Sequence, residues 1–452
     1  MVSPYVITDQ NRTVTLVVRY GLPVLILVFY LTAVRHFDYT PDSTYAVAQV
    51  AQNVEHWLMF AGPAALVETS SPSPLWIFFQ AAGIRASIDV ILFAKVFGIF
   101  FCCAVLMLGY LTAFEVTDDR LLAFCAAFVL ATSVWLEYLA PTGSALPAAV
   151  ALTLASVFFL LRNEYLLASL FAGLTTMVLW EGALLMVLLL ADLLLNSVVR
   201  RRAYRVAATS GVVFAVVVVP WVVYARLHGE PVIPALVPLG SAPAYGVFGS
   251  VSVVLLLVLA SGGVGLSLRG SDGWIHVRTH AAPIAWTALM LGAGLAGSWE
   301  RSVLATPFLV LWAFSGLQRG LRAVKREGAL YLSAFALAAV MLLVNQITYL
   351  GTVRPAVQES VETSRSLAPI ASWLKSTIGD SVSVASEHAG ELAYRSGRTV
   401  EQLREGETPS SAIVITSRED LRGYTRQFIL SQDSLALPAS SRTRLSIWVK
   451  QP

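Results

Sequence analysis

Long apolar runs separated by short polar punctuation dominate the first three quarters of the chain. A bilayer core about 30 Å thick takes roughly 20 apolar residues per helix. Such runs fall near 16–34, 90–113, 121–138, 145–161, 165–180, 182–199, 206–225, 249–268, 281–297, 303–317 and 329–349. The pattern predicts a polytopic α-helical membrane protein with about eleven spans. The first run closes on Ala33-Val34-Arg35-His36 with no small-residue cleavage site behind it, so it reads as a retained signal anchor. Beyond about 350 the pattern changes: charged residues and Ser become common, and no spanning run occurs. Leu367, Ala371, Leu374 and Ile378 recur at helical spacing, whereas Val382–Ala385, Ala412–Thr416 and Leu445–Val449 read as short strands. The expected division is a transmembrane region, 1–349, followed by a small C-terminal α/β domain, 350–452.

Composition sharpens this reading. Of 452 residues 56% are hydrophobic and only 13% charged, about half the share in a soluble domain, which leaves too little charge to cover a water-facing surface. Disorder and a disulfide-stapled fold are excluded on the same grounds. Cys102, Cys103 and Cys125 lie in apolar runs and read as small buried residues, neither a disulfide framework nor a metal site. A net charge of +3 is too small to imply nucleic acid.

The placement of the charges matters more than their sum. With the N-terminus inside, the cytoplasmic stretches hold about fourteen Lys and Arg, including Arg200, Arg201, Arg202 and Arg205. The other face holds about four: Arg35, Arg85, Arg226 and Arg301. This bias puts a long first loop, 35–89, and the C-terminal domain outside, with the chain multi-pass in the plasma (inner) membrane.

That loop is the most informative polar stretch. Asp42 follows Pro41 and opens Tyr45–Val54, a run with helical spacing of apolar residues. Asp42 or Ser43 suits a helix N-cap. A carboxylate at the membrane surface also suits taking a proton from a hydroxyl, and one residue can do both.

The arrangement of Asp42, Tyr45, Ala51 and Asn53, followed by Ser73-Pro74-Leu75-Trp76, resembles the first periplasmic loop of GT-C fold glycosyltransferases. It is most similar to the branch that includes the mycobacterial arabinofuranosyltransferases, with its Asp-Asp-Ala-Tyr, Ala-x-Asn and Thr-Ser-Pro-Leu-Trp patterns. Trp180-Glu181-Gly182 resembles that branch's Arg-Pro-Glu-Gly turn. Arg226–Pro231 resembles its Tyr-Tyr-Gly-x-Pro loop, and Glu300-Arg301-Ser302 its Arg-Tyr pair. In the tail, Gly390–Arg398 resembles a Gly-x-x-Ala-Tyr-x-Ser-Gly-Arg stretch. Departures are plain: the acidic pair is reduced to Asp42-Ser43, Gln49 stands where a basic residue often follows the Tyr, and Leu179-Trp180 replaces Arg-Pro.

The resemblance implies an inverting transfer of one sugar from a polyprenyl-phosphate donor to a glycan, lipid or protein acceptor. Phosphate is already a good leaving group, so one base for the incoming hydroxyl and positive charge for the departing phosphate suffice. A glycoside hydrolase would need two carboxylates. Asp42 is the expected base, with Asp38 in reserve. Arg301 is expected to hold the donor phosphate through its planar fork of donors, with Arg226, His228 and Lys95 as partners. Glu68, Trp76, Glu181 and Glu300 are expected to bind substrate. No metal-ligand cluster is found. The chemistry admits a divalent cation such as Mg²⁺ or Mn²⁺, but loss of the second acidic residue weakens a metal that needs two adjacent carboxylates. A transporter or lipid-linked sugar flippase has as many spans, yet such proteins carry midplane substrate groups and repeat symmetry, and neither is evident. An inactive assembly partner is the remaining alternative.

Overall fold

A computed structural model describes residues 4–35, 37–57, 71–196, 200–228, 232–235, 256–261, 280–295, 299–323, 329–378, 382–398, 400–403, 411–416, 424–430 and 445–450. Helix α1 (Pro4–Val34) leads through a short turn into α2 (Asp42–Trp57). A two-residue strand, β1 (Ser71–Pro72), precedes α3 (Pro74–Arg85), whose first position is a proline preset for helix. Helix α4 (Val90–Thr117) starts where Asp89 Oδ1 accepts from the Leu92 N–H at 2.8 Å. Helix α5 (Arg120–Ala131) starts in the same way, with Asp119 accepting from Leu121 and Leu122.

The apolar run near 121–138 predicts one continuous span, and here the structure differs. The chain breaks after Ala131 and resumes as α6 (Val134–Leu139), ending in a 3₁₀ turn (Ala140–Thr142), with a 52° bend at the break. Thr132 and Ser133 cause it. Their hydroxyls donate back to the carbonyls of Phe128 (3.0 Å) and Leu130 (2.5 Å), a local alternative to continuing the helix.

Helices α7 (Leu146–Leu161), α8 (Tyr165–Val178), α9 (Gly182–Asn196) and α10 (Arg200–His228) follow the predicted runs. Strand β2 (Pro234–Ala235) pairs in parallel with β1. Of the run near 249–268, the described part, 256–261, is helical, and the rest lies outside the described residues. Then come α11 (Ala281–Leu295), α12 (Trp299–Ala323) and α13 (Leu330–Thr348). The last of these passes through a π-turn (Tyr349–Val353) straight into α14 (Arg354–Thr377).

Among the described residues, four helical segments are long and apolar enough to cross a membrane: Val14–Val34, Val90–Thr117, Ala203–His228 and Leu330–Thr377. Shorter apolar helices fill the space between them. Outward faces are apolar, with Val24, Leu27 and Leu31 on α1, Val212, Val216, Val219 and Val223 on α10, and Leu332, Leu343 and Ile347 on α13 all exposed. A lipid-facing belt accounts for that exposure in a membrane protein. The interior is closed by Leu106, Leu122, Leu154, Trp286, Phe308 and Phe314, all fully buried.

The C-terminal sheet has the order β4-β3-β5-β7-β6. Strands β3 (Val384–Ser386), β4 (Val400–Gln402) and β5 (Ile413–Thr416) are parallel, with helix α15 (Ala389–Ser396) crossing between β3 and β4. Strands β6 (Tyr424–Leu430) and β7 (Leu445–Lys450) complete it antiparallel. The face that predicts a helix, Leu367, Ala371 and Leu374, packs with Leu392 and Ala393 of α15 on Val384, Val400, Ile413 and Ile415. Strands β4 and β6 go beyond the three expected. The former is too short to show a period of two, and a register shift between Arg426 and Phe428 interrupts the alternation of the latter.

Candidate active site

The end of the bundle where α1 finishes and α4 begins is where the sequence places its candidate chemistry. Its pivot is the turn Pro141-Thr142-Gly143 after α6. Gly143 has a left-handed backbone (φ 70°), and a Cβ there would stand 3.2 Å from both Ala94 Cβ and Thr44 Cγ2. Only glycine meets both demands. Thr44 Oγ1 donates to the Thr142 carbonyl at 2.7 Å, and Trp76 Nε1 donates to the Gly143 carbonyl at 3.2 Å. The turn therefore ties α2 to α3 and α4.

The segment leading into α2 is fixed along its length. Lys95 Nζ donates to the Phe37 carbonyl and lies 5.2 Å from the Phe37 ring centroid. The hydroxyls of Tyr39 and Tyr138 share a 2.7 Å hydrogen bond, and the Thr44 N–H donates to the Pro41 carbonyl at 3.0 Å. Asp42 is the first residue of α2; its side chain lies outside the described residues, as do Glu68 and the side chain of Glu300.

A second group sits where α8 gives way to α9. Ser73 Oγ donates to the Val178 carbonyl at 2.7 Å, so the Ser-Pro-Leu-Trp stretch reaches this turn as well. Glu181 is 1% exposed, and its Oε1 accepts from Arg301 Nε at 2.5 Å, joining the turn to the start of α12. Among the described residues Oε2 has no hydrogen-bond partner. Burial pushes the Glu181 carboxyl above the ordinary carboxylate range, while a backbone hydrogen bond and the Arg301 charge pull the other way. Gly182 is required beside it, because a Cβ would lie 2.3 Å from the Thr176 nitrogen. The Arg301 side chain is about a third exposed.

No protein-family model matches the sequence, and no curated protein does. Solved structures do. The archaeal oligosaccharyltransferase AglB from Archaeoglobus fulgidus, in complex with an inhibitory peptide and a dolichol-phosphate, matches 88% of this chain and 69% of its own, with a TM-score of 0.59 at 12% identity. ArnT from Cupriavidus metallidurans bound to undecaprenyl phosphate matches 95% of this chain and 97% of its own, with a TM-score of 0.51 at 11% identity. The arabinofuranosyltransferase AftD from mycobacteria matches 95% of this chain with a TM-score of 0.55 at 14% identity, and the chain spans 41% of AftD's length. All three are GT-C fold glycosyltransferases. This chain has the GT-C fold.

Within that GT-C framework the remaining candidates scatter. Asp38 is exposed, with Oδ2 3.8 Å from Arg365 of α14. Arg226 and His228 are exposed at the end of α10, where the His228 ring stacks on Tyr224 at 4.2 Å and Nδ1 lies 2.9 Å from the Tyr224 carbonyl. Trp76 is 2% exposed and packs near Phe101, a core position with its N–H satisfied by Gly143. Arg301 and Glu181 are thus in direct contact. Trp76 and Lys95 belong to the scaffold around Asp42.

Three features around these candidates go beyond the sequence reading. Pro141-Thr142-Gly143 carries a turn signature, hidden between two apolar runs. Glu137, a lone carboxylate inside an apolar run, hydrogen-bonds Gln346 of α13, and an intramembrane acid is a signal in itself. Arg395 reaches Tyr45 of α2, a contact across 350 residues that no local pattern announces. Among the described residues no group of three or more His, Cys, Asp or Glu is placed to hold a metal.

Proposed function

We propose that the protein is an inverting glycosyltransferase that moves one sugar from a polyprenyl-phosphate donor to a hydroxyl of a glycan, lipid or protein acceptor. In this reading the first loop and residues 350–452 lie on the outer face of the plasma membrane, and about eleven spans carry the chain there. The observation behind it is a continuous line of contacts from the helix that Asp42 opens to Arg301, whose side chain is about a third exposed. That line runs from Thr44 to the Thr142-Gly143 turn, on to Trp76, from Ser73 to Val178, and so to the Glu181 turn and Arg301.

Each group then has a task. Asp42 takes the proton of the acceptor hydroxyl, and the oxygen attacks the anomeric carbon from the face opposite the phosphate. The bond from carbon to phosphate oxygen breaks, and its electron pair leaves with the phosphate. Arg301 receives that charge through its two terminal nitrogens, the geometry in which guanidinium and phosphate match. Asp38, already near Arg365, is the secondary candidate for the base. Arg226 and His228 line the approach to the same end of the bundle. Lys95 fits better as the group that holds the Phe37 carbonyl than as a phosphate ligand. Glu68 and Glu300 remain candidates for sugar hydroxyls.

The test is Asp42→Asn in purified, reconstituted protein given labelled undecaprenyl-phosphate pentoses and hexoses with a membrane lipid extract as acceptor. Loss of a general base predicts a fall in transfer of about 10²- to 10⁴-fold, with elution profile and melting temperature unchanged. Unaltered transfer by the well-folded variant overturns the assignment. Translocation of the label without turnover marks a flippase, and binding alone marks an inactive partner.

A further inference from the structure

The stretch Gly390–Arg398 has no task in the mechanism above, yet its residues converge on α2. Glu391 is 3% exposed, and its Oε1 accepts from Ser364 Oγ of α14 at 2.6 Å and from Arg395 Nε at 2.7 Å. Held in this way, Arg395 turns Nη2 toward Tyr45, donating to its phenolic oxygen at 3.1 Å, and also lies 3.4 Å from Ser364 Oγ. Its guanidinium carbon is 5.5 Å from the centroid of the Tyr45 ring, within the range of cation–π attraction. Tyr394 brings a second ring against Tyr45, centroids 5.5 Å apart. Tyr45 is buried, and it stands three residues after Asp42, on the same side of α2.

We propose that Ser364, Glu391, Tyr394 and Arg395 form a clasp that sets the position of α2 through Tyr45, so that Arg395 is a positioning residue for the transfer reaction. This rests on the reading of α2 as the helix that carries the base. A C-terminal module that only gathered acceptor would have no need to place a buried carboxylate behind its arginine. The clasp joins three elements: α14, which continues the last apolar span, α15, and α2. Arg395 suits the centre, since its fork contacts Glu391 and Tyr45 at once, while a lysine has a single nitrogen to offer.

The test uses the full-length protein in lipid nanodiscs and two readouts. Amide hydrogen exchange needs no substrate. In Arg395→Ala, amides 43–54 exchange at least about tenfold faster, a loss of about 1.4 kcal/mol in local opening free energy, while β3 and β5 keep their protection. Tyr45→Phe produces a smaller loss in the same amides, and adding Arg395→Ala to it gives less than the sum of the two. With labelled undecaprenyl-phosphate sugars, Arg395→Ala lowers kcat by about 10²-fold, as expected for a displaced catalytic group, with little change in donor KM. Arg395→Lys recovers part of kcat. Exchange unchanged in 43–54, or raised only within 384–416, overturns the clasp. Exchange raised in 43–54 with kcat intact upholds the clasp and overturns instead the assignment of catalysis to α2.

Discussion

The pair Glu181–Arg301 illustrates what a single residue's surroundings decide. A carboxylate this buried is costly unless a cation faces it, and Arg301 supplies that cation while remaining about a third exposed itself. Through Nε it meets one carboxylate oxygen, Oε1. Arg301→Gln leaves the carboxylate buried without its counter-charge. The variant should lose about 1–3 kcal/mol of stability, and Glu181→Gln/Arg301→Gln should recover part of it, as melting temperatures of the single and double variants will show. The sign with pH follows from the upward displacement of the carboxyl. The folded state favours the protonated acid, so the deficit of Arg301→Gln is small at low pH. It grows as pH rises through the carboxyl's raised value. Sequence reading reached Arg301 because it is a rare arginine among the loops assigned to the outer face, and gave it the donor phosphate with no protein carboxylate as partner. The actual partner lies 120 residues away, a distance that no spacing argument spans. Trp76 shows the opposite limit: a tryptophan near a membrane surface suggests a sugar platform, whereas packing made it part of the core.

Among the elements, the turn after α6 carries more than its size suggests. Helix α2 has an amphipathic pattern that was legible without coordinates, as were α4, α7 to α10 and the face of α14 that meets the sheet. What periodicity could not show was the break at Thr132-Ser133, since both residues are common within helices and the apolar count continues across them. That break turns α6 so that Tyr138 meets Tyr39 and Thr142 meets Thr44. Gly143→Ala tests the turn. A left-handed alanine costs about 1–2 kcal/mol, and its methyl would crowd Ala94 and Thr44 besides. The expected outcome is a lower melting temperature together with a loss of transfer exceeding the loss of folded protein. A variant that keeps its melting temperature and its activity would show that the turn does not hold α2.

At the scale of the whole molecule, composition alone identified a membrane protein, and the resemblance carried by Asp42, Tyr45, Asn53 and the Ser73-Pro74-Leu75-Trp76 stretch anticipated the GT-C fold. Sidedness is the part that charge bias supports and packing leaves free. It is open to labelling in a background with Cys102, Cys103 and Cys125 replaced. Ser87→Cys, in the exposed turn between α3 and α4, should react with an impermeant maleimide on intact cells; Asn163→Cys, in the exposed turn between α7 and α8, should react only after permeabilisation. The reverse pattern would remove the outer-face assignment.

The join between α13 and α14 carries a consequence of its own. From Leu330 to Thr377 the helix is unbroken for 48 residues, about 72 Å of rod at 1.5 Å per residue. The π-turn at its middle holds one residue more than an α-helical turn, which rotates everything beyond it by about 100°. The rod is therefore keyed like a crankshaft. Shortening it by one residue would leave its membrane half seated while swinging Ser364 and Leu367 away from the partners they now meet.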